Sequence, residues 1–385
     1  MGIFKQVLLI LAALATVGCA FQPSYEYIGD DEAALLRQVL GDAPAPTELV
    51  TLQLSPEIKV LLDQRVDRDG RSKEKLAQLR ALLFSEEGIG IKYDANATLT
   101  AQEVFAQKRG NCLAMTNLFI AAARYVGLDA HYQTVEVKPT WNHLGQTMIR
   151  YEHIVAVGRF GEETYVVDFL PEFLIGDRPS KNISDEQALA LYYNNLGAEA
   201  VVDDKADAGI PFLQKSLKLN PENSDAWNNM GAALRRTGNE LLVEFSYLKA
   251  LEKDGYNYSA LSNLARFYET EGRAREAEMI AGRVDRYRKR NPYFHAFAAE
   301  VLYQQGEYKE AQLFMDSAIR LKRDEPGFYE TSAKIYLAQG NEVAHQRQLQ
   351  RAQRYRDRTV ERAPVRVMES RLIVRRDTTA RYARD

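Results

Sequence analysis

Glycine recurs at Gly238, Gly272, Gly306 and Gly340, a strict spacing of 34 residues, and no other feature of this chain limits its fold so tightly. A fixed period of that length marks one supersecondary unit stacked on copies of itself, because a single unit cannot bury its apolar face alone. Aligned on the glycines, an aromatic residue falls at Tyr193, Trp227 and Tyr329, and a small one at Gly197, Gly231, Ala265, Ala299 and Ala333. Further small residues follow at Ala277 and Ala311, and at Ala250, Ala318 and Ala352. Small residues let paired helices approach, while Leu196, Met230 and Leu264 have the size to fill the space between neighbours. The pattern predicts five helical pairs over residues 190–356.

The period and these positions resemble the tetratricopeptide repeat. The resemblance implies an all-α solenoid with a concave groove for a protein or peptide ligand. It is silent about chemistry.

At 385 residues the chain exceeds the usual size of one domain, so a second folded unit is expected ahead of the repeats. A formal net charge of -3 gives no pull toward nucleic acid, and none is expected as a partner. The first residues belong to targeting. Lys5 and the apolar run Val7–Val17, too short for an ordinary membrane span, read as a signal peptide over residues 1–18. Thr16-Val17-Gly18-Cys19 resembles a bacterial lipobox, with Thr16 where leucine is usual. That resemblance implies cleavage before Cys19 and lipidation of its thiol. Ala20 and Phe21 resemble outer-membrane sorting, which implies an anchor on the periplasmic face where the host has two membranes. Residues 19–47 then form a linker with one amphipathic stretch, Asp31–Leu40, ending in Pro44 and Pro46.

With Cys19 lipidated, Cys112 is the thiol left to explain, since the chain has 2 cysteines. The elements around it predict an α+β domain over residues 48–180. Ser55-Pro56 opens a helix, Leu76, Leu79, Leu82 and Leu83 lie on helical spacing, and Thr100 with Glu103 forms a capping box for a helix through Gln107. After the break at Lys108-Arg109-Gly110-Asn111, Cys112 starts an almost wholly apolar helix that Gly127 closes. Strands are expected at Asp129–Val137, His153–Phe160 and Thr164–Phe169.

A thiolate at a helix N-terminus is stabilised by the helix dipole and free amides, and an imidazole beside it adds an ion pair. His153 and Asp168, at opposite ends of a hairpin, are placed to supply that imidazole and the carboxylate that fixes its tautomer. His131 and His143 are rival bases, and Gln107 is a rival oxyanion donor. A metal site of Cys112, His131, His143 and His153 lacks any close ligand pair at zinc spacing.

Arg109-Gly110-Asn111-Cys112 with its apolar helix, Glu152-His153 and Val166-Val167-Asp168 together resemble the transglutaminase-like superfamily, over about Leu76 to Pro171. The resemblance implies a papain-like core with Cys112 as nucleophile, His153 as base and then acid, and Asp168 as the orienting residue. Two positions depart from it: Val155 stands where an aromatic residue is common, and Phe169 where proline follows the aspartate.

The expected function is an exported, lipid-anchored cysteine enzyme that hydrolyses or transfers an acyl group at an amide of a protein or cell-envelope peptide. In this reading the repeats bind substrate or partner, and no cofactor is needed. The alternative is a non-catalytic envelope scaffold built on the repeats. From Arg354 to Asp385 ten arginines face five acidic residues without an apolar period, so residues 357–385 are expected to form a disordered or weakly docked basic tail. Its removal is expected to leave Cys112 unaffected.

Overall fold

The structure is a computed structural model that describes residues 31–136, 140–141, 148–149, 152–161, 163–169, 180–362, 365–368 and 372–376. In chain order these form α1 (Glu32–Leu40), α2 (Pro56–Arg65), α3 (Ser72–Phe84), β1 (Lys92–Tyr93), α4 (Ala101–Gln107), β2 (Arg109–Gly110), α5 (Cys112–Tyr125), β3 (His131–Glu136), β4 (Thr140–Trp141), β5 (Met148–Ile149), β6 (Glu152–Phe160), β7 (Glu163–Val167) and β8 (Ser180–Ile183). The helical half follows as α6 (Asp185–Val202), α7 (Ala206–Leu219), α8 (Ser224–Thr237), α9 (Glu240–Lys253), α10 (Tyr258–Thr270), α11 (Ala274–Arg290), α12 (Pro292–Gln304), α13 (Tyr308–Leu321), α14 (Pro326–Ala338) and α15 (Glu342–Arg362), then β9 (Val365–Met368) and β10 (Leu372–Arg376). They divide into two compact units, Met1–Pro46 with Tyr193–Tyr287, and Thr47–Tyr192 with Arg288–Asp385.

The second of these units holds a six-stranded sheet in the order β8-β3-β6-β7-β10-β9, antiparallel throughout. Helix α5 is buried from Leu113 to Ala123, as its apolar sequence requires. Tyr132 on β3 donates its hydroxyl to Asn117 on α5 at 2.7 Å, a polar tie inside that core. Gly158 is needed where β6 meets the chain before β3. A Cβ there would lie 1.9 Å from the Asp129 carbonyl oxygen.

Three strands of this sheet, β8, β9 and β10, differ from the sequence expectation. Strand β8, Ser-Lys-Asn-Ile, has no apolar alternation, yet it pairs with β3. The C-terminal segment is no loose tail: β10 pairs with β7, setting Leu372 opposite Val167, and β9 pairs with β10. Arginine content says little about pairing here, because a sheet edge offers backbone N–H and C=O groups to any extended segment. Val365-Arg366-Val367 and Leu372-Ile373-Val374 also carry the β-branched residues that favour extension.

The periodic half forms ten helices in five successive hairpins. Gly238, Gly272, Gly306 and Gly340 all have left-handed backbone, with φ of 82°, 71°, 82° and 75°. Each closes the first helix of its pair in a conformation that costs a residue with a Cβ about 1 kcal/mol or more. The small positions are contact positions: a Cβ on Gly231 would lie 2.6 Å from the Tyr247 ring, and one on Gly197 would lie 2.5 Å from Leu213. Ala299 and Ala333 are fully buried.

The amphipathic stretch expected inside the linker is α1, and it docks within the first unit. Leu35 and Val39 are buried, Gln214 on α7 donates to the Val39 carbonyl at 2.9 Å, and Lys249 on α9 pairs with Glu32 at 2.5 Å. Burying two such side chains contributes roughly 1.5–3 kcal/mol each. Gly41, with φ of 65°, ends the helix.

Candidate active site

The approach to Cys112 is set by local bonds. Thr100 and Glu103 form the reciprocal capping box that starts α4, and Lys108, in left-handed backbone at φ 55°, ends it. The chain then runs parallel to β1: Lys92 N–H donates to the Lys108 carbonyl at 3.0 Å, Asp94 N–H to Gly110 at 3.0 Å, and Asn111 N–H to Ala97 at 2.9 Å. The Arg109 guanidinium fixes this crossing from outside, 2.5 Å from Asp94. Gly110 lets it lie close to the helices, since a Cβ there would stand 3.1 Å from both Val104 and Ala114.

Asn111 caps α5. Its side-chain oxygen accepts from Ala114 N–H at 2.9 Å and its carbonyl from Met115 N–H at 2.9 Å, while its amide donates to Thr98 at 2.7 Å. The cap satisfies the third and fourth amides of the helix. The amides of Cys112 and Leu113 precede the first intrahelical acceptor and remain directed out of the helix N-terminus. Cys112 is partly exposed and carries a free thiol there.

His153 enters on β6 and Asp168 one residue beyond β7. The register that sets Ala156 opposite Val167 brings Asp168 level with Val155, two residues from His153 and on the same face. His153 Nε2 and Asp168 Oδ1 are 2.6 Å apart, and each residue is only 3% exposed. The Cys112 thiol also hydrogen-bonds the imidazole. Burial opposes a charge on His153, but the hydrogen bonds and charges of Asp168 and Cys112 outweigh it. The imidazole is pushed up from 6.5 to about 9.

Both departures from the superfamily pattern have a packing role. Phe169 is fully buried, with its ring centroid 4.9 Å from Phe84 and 6.3 Å from Phe119, so it anchors the backbone beside Asp168. Val155 packs with Val135, Val157 and Val166. Asn111, Thr98 and Phe169 are the supporting residues that sequence reasoning left without a role. An asparagine directly before an apolar helix is itself an N-cap signal, whereas Thr98 and Phe169 give none.

The structure brings Cys112, His153 and Asp168 together, while two of the rivals, His131 and Gln107, have other partners. His131 is partly buried on β3, with Nδ1 3.8 Å from Asp129 and Nε2 3.5 Å from the Asn182 amide. Gln107 is exposed and accepts from Arg109 at 3.0 Å. His143 and Cys19 lie outside the described residues. Among the described residues, no group of three histidine, cysteine or acidic side chains is placed to hold a metal.

Fold and site together define a chain with a cysteine–histidine–aspartate α+β domain followed by helical repeats. Comparison with known proteins specifies both parts: residues 63–166 match the family model of the transglutaminase-like superfamily, and residues 212–241 match that of a tetratricopeptide repeat. The chain thus carries a transglutaminase-like domain and tetratricopeptide repeats. The tetratricopeptide repeat domain-containing protein PYG7, chloroplastic, of Arabidopsis thaliana is 44% identical over 52 residues, covering 14% of this chain and 17% of that protein. The chain therefore matches less than a fifth of that relative's length. Among solved structures, MamA 41-end from Desulfovibrio magneticus RS-1 is 11% identical, with 46% of this chain and 97% of that one covered and a TM-score of 0.25. YrrB, described as a TPR protein with an unusual peptide-binding site, is 14% identical, with 44% and 87% covered and a TM-score of 0.25.

Proposed function

We propose that this protein is an exported, lipid-anchored cysteine enzyme that attacks an amide of a protein or cell-envelope peptide through a thioester, with its repeats binding the substrate or a partner protein. The supporting observation is His153 held between buried Asp168 and Cys112 at the N-terminus of α5. With its imidazole raised to about 9, His153 carries a proton at neutral pH, and the attacking species beside it is the thiolate form of Cys112.

Cys112 Sγ adds to the carbonyl carbon of the amide, and the developing oxyanion is received by the outward amides at the helix start. His153 passes its proton to the leaving amine, the C–N bond breaks, and a thioester remains on Cys112. Neutral His153 then takes a proton from water or an incoming amine, which releases acid or a new amide. Asp168 holds the ring through Nε2 in both half-reactions.

Two features support partner binding by the repeats. The first helices of successive pairs carry side-chain amides bridged from one pair to the next, Asn229 to Asn194 at 3.0 Å and Asn263 to Asn228 at 2.9 Å, a polar row suited to a peptide backbone. In addition, α12 borders β4, on the segment leading to His153.

The test is labelling by a thiol-directed alkylating probe at neutral pH in wild type, Cys112→Ala and His153→Ala. The expected order is fast, none and slow. If His153→Ala labels as fast as wild type, Cys112 is not an activated nucleophile and the scaffold reading takes its place. Anchoring is tested separately by metabolic incorporation of a fatty-acid probe, which Cys19→Ala should abolish.

A further inference from the structure

A cavity of about 430 Å³ opens between α13, α14 and α15, lined chiefly by Arg320, Arg323, Arg351, Arg354, Tyr329 and Tyr355. Its one acidic lining residue is Asp316, whose Oδ1 accepts from the Gln312 amide at 2.8 Å. Among the described residues, none of the four guanidinium groups makes an ion pair within 4.0 Å. This is not the general habit of the chain. Arg356, next on α15, is paired with Glu330, Arg273 with Glu244 and Glu276, and Arg124 with Asp185.

The wall behind the arginines is fixed. The Tyr329 and Tyr355 rings stack with centroids 5.1 Å apart at 18°, and the buried Tyr329 hydroxyl donates to the Arg323 carbonyl at 2.8 Å. That bond ties the turn carrying Arg323 to α14. Burial and the hydrogen bond with Tyr355 push the Tyr329 hydroxyl up to about 12, against the opposing charges of Arg351 and Arg323.

We propose that this cleft is a binding site for a phosphate-bearing anion, separate from the cysteine site. Four guanidinium forks around one cavity exceed what a carboxylate can use, because its two oxygens present only about four lone-pair sites, enough for two forks. A phosphate ester presents up to three charged oxygens and accepts several forks at once. The stacked tyrosines form a low-dielectric wall that strengthens these bonds. The same chemistry is offered by a soluble phosphate monoester or by the phosphomonoester headgroup of phosphatidic acid.

The experiment uses the full chain with three probes: inorganic pyrophosphate by calorimetry, vesicles of phosphatidic acid against phosphatidylcholine by sedimentation, and a hexaglutamate peptide by calorimetry. Wild type should bind pyrophosphate or phosphatidic acid vesicles. Arg351→Gln/Arg354→Gln should weaken that binding by about tenfold or more, and Arg266→Gln should leave it unchanged. Both sets of side chains are exposed, and a thermal melt checks that each variant is folded. Binding of pyrophosphate alone assigns a soluble ligand, and binding of vesicles that the double variant loses assigns a headgroup. The proposal is overturned if neither phosphate probe binds, if the double variant binds as wild type does, or if hexaglutamate binds as tightly.

Discussion

Replacing Asp168 by asparagine isolates the carboxylate charge while keeping side-chain volume and a hydrogen-bond acceptor for His153 Nε2. In the native site, Asp168 stands 2.6 Å from a ring that is 3% exposed and raised to about 9. A rise from 6.5 to about 9 corresponds to roughly 3 kcal/mol favouring the imidazolium, or about 300-fold in its ratio to the neutral ring at fixed pH. Without the carboxylate, burial still opposes the charge and only Cys112 remains to favour it, so the His153 value falls toward its ordinary one and less of the ring is charged at pH 7. The Cys112 thiolate then loses part of the charge on its cationic partner. Alkylation at pH 7 should slow by about 10- to 100-fold, with the gap closing near pH 10, where a thiol ionises unaided. Rates measured from pH 5 to 10, with circular dichroism to verify folding, give the answer. An Asp168→Asn protein that labels at the wild-type rate, with a superposable pH profile, refutes the argument.

Stability should follow the same ring. Because the folded His153 value lies above the unfolded one, its contribution of about 3 kcal/mol is complete below pH 6.5 and is lost as pH rises through about 9. The urea midpoint should therefore fall between pH 6.5 and 9.5 in wild type and hold steadier in His153→Gln. Gly158→Ala drives a Cβ to 1.9 Å from a backbone oxygen and should cost roughly 3 kcal/mol or more, whereas Gly238→Ala meets no atom within 4 Å and should cost about 1 kcal/mol through φ alone. Thermal melts rank the two, and equal losses would contradict the contact argument. Truncation before Val365 strips β10 from β7, the strand that leads into Asp168, so it should lower both the melting temperature and Cys112 labelling. Unchanged labelling in a folded truncation would return the C-terminus to the status of a passive tail.

Most of the fold was legible where a signal is local. The capping box of Thr100 and Glu103 gave α4 its start, and the apolar run after the break at Gly110-Asn111 gave α5. The valine-rich segments read as strands β6 and β7 to within two residues of their ends. Strand β8 was hidden because Ser180–Ile183 carries no alternation, and β9 and β10 were obscured by arginine. The candidate site was legible as an order of residue types. Its supports, Thr98 and Phe169, were not, since an ordinary threonine and phenylalanine acquire roles only through what they meet.

The sequence by itself determined the repeats and the ends of the helices. A 34-residue glycine period needs only the left-handed φ of each cap and a small residue at each close approach. Tertiary structure decided what depends on partners distant along the chain. The 2.6 Å bond between His153 and Asp168 requires a particular strand register, and α1 is held by residues such as Gln214, 175 positions from Val39. Local conformational preference is written residue by residue, whereas burial, register and a raised imidazole arise only when separated segments enclose the same space.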